Sequence, residues 1–167
     1  MGDGGWRTRL VLVVLMASTI GCDQATKRLA ATGLATSPRL SYLGDTLRLE
    51  YTENRGAFLS LGAGLPAWTR TGLFTVATGL MLAAMAVIAV KGRWAGRGLV
   101  GLSLAWAGGV SNVVDRAARG TVVDFLNVGV GPLRTGVFNV ADMAILLGLA
   151  LVLSQRLGSG PPRDAPR

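Results

Sequence analysis

The sequence predicts an all-α membrane protein, with four transmembrane helices and a small extracytoplasmic β-sheet in the first outer loop. Three observations point there. Hydrophobic residues make up 50% of the 167 and charged residues only 16%, at a mean hydropathy of +0.47, richer in apolar and poorer in charged side chains than a globular domain. Charge-free intervals of membrane-crossing length recur, and basic residues bracket them, although the net charge is +8.

A bilayer core of about 30 Å requires roughly 20 mostly apolar residues in a helix. Leu10 to Cys22 is too short alone at 13 uncharged residues. It spans only if the helix continues through Asp23 towards Lys27, placing a carboxylate in or near the membrane. Thr71 to Val90 carries no charge over 20 residues, and Gly98 to Val114 none over 17. The glycines of the latter are tolerated because neighbouring helices replace what they lose. Thr135 to Gln155, interrupted only by Asp142, reads as the fourth helix.

Four helices place both termini on one side. Eight Lys and Arg lie on that side within 28 residues, and nine lie opposite over 64. The denser side is cytoplasmic by the positive-inside rule. In the first outer loop, about Arg28 to Arg70, Leu47-Arg48-Leu49-Glu50-Tyr51-Thr52 alternates with period two, which reads as strand at the membrane surface. Residues 1–157 are expected to form one membrane domain. Residues 158–167, with three prolines and alternating charge, are expected to be disordered.

Composition also excludes chemistry. The chain has no histidine, so Ser-His-Asp and Cys-His catalysis and most zinc sites are absent. The single cysteine, Cys22, makes no internal disulfide or CxxC pair. Basic residues do not form a stripe interleaved with aromatics, so no nucleic-acid partner is expected. Gly108-Gly109 lies in an apolar helix without the Lys-Ser/Thr of a phosphate loop.

Ionisable residues inside apolar spans mark either a site or a self-neutralising pair. Asp23 and Lys27 share one helix face, where structural and functional pairing are both open. Gly101, Ala105 and Gly109 form a small-residue stripe for close helix packing. Asn112, Asp115 and Arg116 converge at the outer end of the third helix, and Asn139 and Asp142 face one way at the start of the fourth. Asp124 interrupts the apolar run Thr121 to Leu126. If Asp124 and Asp142 meet, two carboxylates in a low dielectric cannot both ionise easily, so one keeps a proton while the other acts as base. That arrangement suits attack of water on an amide. A Ser-Lys alternative would use Lys27 with Ser18 or Ser60, but Asp23 stabilises that lysine as a cation, which is a poor base.

Five blocks, in order, resemble the lipoprotein signal peptidases (signal peptidase II): Asp23-Gln24-Ala25-Thr26-Lys27, Asn54-Arg55-Gly56-Ala57-Phe58, Gly108 to Arg116, Val122-Val123-Asp124-Phe125 and Phe138-Asn139-Val140-Ala141-Asp142. The resemblance implies a membrane aspartyl protease of the bacterial inner membrane that removes the signal peptide from diacylglyceryl-modified prolipoproteins. It further implies Asp124 and Asp142 as the catalytic pair, with Asn54, Asn112, Arg116 and Asn139 lining the site and engaging substrate. Asp23, Lys27 and Asp115 are implied to support it. The expected partners are prolipoprotein substrates and membrane lipid, the expected state is a monomer, and no metal or cofactor is expected because the two aspartates supply both proton roles. The chain departs from the family at Ser111, usually Gly, and at Ala57-Phe58-Leu59, usually Ala-Ala-Phe. Phe58 is expected to narrow the opening near Asn54.

Two rival readings carry their own signs. A non-catalytic small transporter or assembly factor would hold the carboxylates too far apart to share a water. The start of the chain up to Cys22 also imitates a lipoprotein signal, but Thr19 stands where such signals carry Leu, and a lipid-anchored protein needs no three further spans.

Overall fold

The computed structural model describes residues 4–55, 66–92 and 94–158. In chain order the elements are α1 (Gly4–Gly33), β1 (Leu40–Tyr42), β2 (Leu47–Asn54), α2 (Ala67–Lys91), α3 (Gly96–Arg119), β3 (Val122–Val130), β4 (Leu133–Arg134) and α4 (Val140–Gly158). The tail beyond Gly158 and the positions Ala57, Phe58, Leu59 and Ser60 lie outside the described residues.

Helix α1 is longer than the 13-residue apolar run suggests, at 30 residues, or about 45 Å. Its first turns leave Leu10, Val11, Val13 and Val14 more than half exposed, and α2 likewise exposes Val76, Leu80 and Met81. Apolar side chains turned outward this way suit a lipid surrounding. Among the described residues, Gly5–Gly33 and Gly72–Lys91 are long and apolar enough to cross a membrane, and the apolar part of α4, Val140–Gln155, is shorter.

Helix α3 is the centre of the packing, touching α1, α2 and above all α4. Small residues allow that approach. A Cβ on Gly101 would stand 2.6 Å from the carbonyl oxygen of Gly148, and one on Gly148 would collide with the backbone and Cβ of Ala105. The stripe does not run as expected, because Gly109 faces Leu82 of α2, while Gly108 meets the Ala141 carbonyl of α4. Two adjacent glycines therefore serve two different helix contacts.

The four strands form one antiparallel array in the order β1-β2-β3-β4. The small sheet beside the helices is as expected, but its placement in the first outer loop is corrected, since β3 and β4 come from the segment between α3 and α4. The reason is burial: Val122 to Phe125 is buried at every position, and a strand covered on both faces lacks the alternation that identifies a half-exposed one. In register, Thr52 pairs with Asp124 and Asn54 with Val122, after an irregularity between Leu49 and Thr52.

Helix α4 starts at Val140 rather than near Thr135. Residues before it are used by the sheet, where Phe138 and Leu126 exchange backbone hydrogen bonds of 2.8 Å each. Asn139 then caps the helix: its Oδ1 accepts from Asp142 N at 2.9 Å, and its own N donates to Asp142 Oδ2 at 3.1 Å. This reciprocal pair satisfies two backbone donors at the helix start.

Candidate active site

Strand β3, the start of α4 and the C-terminal halves of α1 and α3 bring the polar residues together. Asp124 is 2% exposed. One oxygen accepts from Asn54 Nδ2 at 3.0 Å, the other from Asn139 Nδ2 at 2.6 Å. Asp142, half-buried in the first turn of α4, accepts from Asn112 Nδ2 at 3.0 Å and from the Asn139 backbone. Asn139, fully buried, therefore donates to both carboxylates through two different nitrogens.

The partners of Asp124 are neutral amides, which leaves its charge weakly compensated. Burial pushes its carboxyl up to about 6, against the downward pull of the Asn54 hydrogen bond and with a further upward push from the charge of Asp142. Asp124 lies on β3, outside the helices that would cross a membrane. Arg116 reaches both carboxylates electrostatically. Its buried Nε has no hydrogen-bond partner among the described residues.

Beneath this pair lies a second polar cluster. Asp23 and Lys27 are both fully buried and stand 2.6 Å apart. The Lys27 ammonium also contacts Asp115 at 2.8 Å and donates to Asn112 Oδ1 at 2.8 Å. An ammonium has three donors and no acceptor, and Asn112 must turn its oxygen towards it. The amide nitrogen of Asn112 is then aimed at Asp142. Asp23 acts on the same residue by another route, since its Oδ1 accepts from Ala141 N at 2.7 Å in the first turn of α4. The Asp23-Lys27 spacing left structure and function open; the geometry makes the pair a frame for Asn112 and the start of α4.

Asp115 belongs to this frame and turns away from the pair formed by Asp124 and Asp142, towards Lys27, Arg119 and Gln24. Of the three polar residues expected to converge at the end of α3, only Asn112 and Arg116 face the carboxylates. Lys27's three contacts go to Asp23, Asp115 and Asn112, and none goes to Ser18.

The sequence gives Gln24, Ser111 and Arg119 no role of their own in the site. Ser111 Oγ donates to Asp23 Oδ2 at 2.7 Å and accepts from Gln24 Nε2 at 3.0 Å. The departure at Ser111 was the available signal, but its partner lies 88 residues away in the chain.

The sequence model described as signal peptidase (SPase) II matches residues 15–157. A lipoprotein signal peptidase of Chlorobium phaeobacteroides is 35% identical over 82% of this chain and 89% of its own length. One from Vibrio parahaemolyticus is 39% identical over 63% of this chain, a match that spans 62% of that relative. A solved bacterial membrane enzyme shares the fold at a TM-score of 0.80 and 23% identity, covering 94% of this chain and 93% of that one.

Proposed function

The chain belongs to the signal peptidase II family of signal-peptide-removing membrane proteases, and from that premise we propose that it cleaves diacylglyceryl-modified prolipoproteins just before the lipid-modified cysteine, using Asp124 and Asp142. The observation that carries this reading is that two carboxylates from different elements converge on one buried residue, Asn139.

In this scheme Asp124 is the carboxyl that carries the proton in the active form of the pair, because burial among neutral amides disfavours its charge. Asp142 takes a proton from water as the water oxygen attacks the carbonyl carbon of the scissile bond. Asp124 gives its proton to the departing nitrogen as the carbon–nitrogen bond breaks, leaving a carboxylate on the signal peptide and an amine on the cysteine. Arg116, with an unused buried donor, stabilises negative charge on the carbonyl oxygen. Asn54, Asn112 and Asn139 hold the two carboxylates and engage the peptide backbone. Asp23, Lys27 and Asp115 hold Asn112 and the start of α4.

All four helices cross the membrane in this reading, α3 through its contacts with the other three, and both termini lie in the cytoplasm. Residues 1–157 act as one monomeric peptidase domain. The substrate comes from the side, out of the bilayer, with its acyl chains against the exposed apolar helix faces. The proposal is tested by incubating the protein in vesicles with a diacylglyceryl-modified precursor and following its size. Wild type should cleave, while Asp124→Asn and Asp142→Asn should remain folded and cleave at least about a hundredfold more slowly; cleavage by either variant at a rate near wild type would refute the assignment.

A further inference from the structure

Resting on the reading just given, we infer that the charged groove beside Arg116 holds the polar segment following the modified cysteine, and that Arg55 selects for an acidic side chain in it. The groove, about 620 Å³, lies between the end of β2, the start of α2 and the outer end of α3, and its charged lining is Glu53, Arg55, Arg116 and Arg119. It is continuous with the candidate catalytic pair at two points. Arg116 extends from the groove wall towards Asp124 and Asp142, and Arg55 directly follows Asn54, which donates to Asp124.

The charges in this lining are not equally available. Arg119 is engaged by Asp115, and Glu53 accepts from the Tyr51 hydroxyl at 2.9 Å. Arg116 is turned to the reacting groups. Arg55, exposed, makes no ion pair among the described residues. Among the described residues the groove therefore offers a carboxylate one guanidinium without an ion pair, about one residue beyond the reacting centre, with the charge of Glu53 still present beside it because a neutral hydroxyl does not cancel it.

Substrate polarity gives the direction. A signal peptide is apolar and is matched by the apolar hollow of about 260 Å³ lined by Met16, Met85, Leu102 and Trp106, towards the opposite ends of α1–α3. The segment after the cysteine is the part that must leave the membrane for water, and the charged groove is the polar exit from the site. An exposed Arg-carboxylate pair is worth a few-fold in rate rather than orders of magnitude, and its effect must fall with salt.

The test uses the full-length protein in phosphatidylcholine vesicles. Precursors differ only in carrying Asp, Asn or Lys at one of the three residues after the cysteine, and initial rates are compared as ratios, so that any general loss of activity divides out. Wild type should prefer Asp over Asn over Lys by about three-fold per step at low salt, with the ratio shrinking at high salt. Arg55→Gln should bring the ratios to one and Arg55→Glu should reverse them. Wild-type ratios of one, or ratios that Arg55→Gln leaves unchanged, would overturn the inference while leaving the peptidase reading intact. Equal slowing of all precursors by phosphatidylglycerol, without any charge preference, would give the groove to a lipid headgroup and also overturn it. No cleavage of any precursor would remove the peptidase reading and this inference together.

Discussion

The tripeptide Val-Val-Asp occurs twice, at Val113-Val114-Asp115 and Val122-Val123-Asp124, and the two acids meet opposite environments. Both are buried, at 1% and 2% exposure. Asp115 faces Lys27 and Arg119 and accepts from Gln24. Asp124 is hydrogen-bonded by the amides of Asn54 and Asn139, with Asp142 nearby and the cations of Arg116 and Lys27 acting without an ion pair among the described residues. A buried carboxylate paired with cations is a structural anion, whereas one among neutral amides can hold a proton. The tripeptide does not distinguish them; the element does, because Asp115 lies on a helix turned to α1 and Asp124 on a strand paired with β2.

That contrast is broken most directly by removing each charge. Asp124→Asn should lower cleavage by about 10²–10⁴-fold, the contribution of a positioned proton donor, without lowering Tm. Asp115→Asn should do the reverse. It takes one of two carboxylates from buried Lys27, which keeps Asp23 at 2.6 Å, and costs about 1–3 kcal/mol of stability, measured by thermal unfolding, while the fraction that remains folded still cleaves.

Stability against pH sharpens the same comparison. Asp124 titrates near 6 in the fold and near 3.8 unfolded, so the native state binds the proton more tightly. Its stabilising contribution is complete below about pH 4 and is lost as pH rises through 6, by about 3 kcal/mol. Unfolding of Asp124→Asn should lack that step.

Smaller effects are expected one residue away from the carboxylates. Asn112→Ala removes the donor that orients Asp142 and should slow cleavage about tenfold or more through misplacement, with some loss of substrate affinity as well. Ser111→Ala removes one hydrogen bond to Asp23 and should cost about 1 kcal/mol with the rate held within about twofold, since Ala141 N and Lys27 still hold that carboxylate.

Legibility in the sequence followed the range of the interaction. Helices α2 and α3 were visible as charge-free intervals, and the outer alternation of β2 as period two. The strand carrying Asp124 was not, because burial of Val122 to Phe125 on both faces erases alternation. The cap at Asn139 displaced the start of α4 by a few residues from where apolarity alone put it. The five blocks are legible in the sequence, but Asp115's turn towards Lys27 and Ser111's bond to Asp23 depend on contacts across about ninety residues, for which a single chain carries no local mark.

The central claim is that Asp124 and Asp142 form one electrostatically coupled pair with the proton held at Asp124. Carbon NMR titration of the Asp124 carboxyl, in wild type and in Asp142→Asn, tests it without substrate. The account predicts a midpoint near 6 that falls, but stays above 3.8, when the neighbouring charge is removed, since burial contributes more than Asp142 does. A midpoint in the ordinary carboxylate range, unchanged by Asp142→Asn, would contradict it.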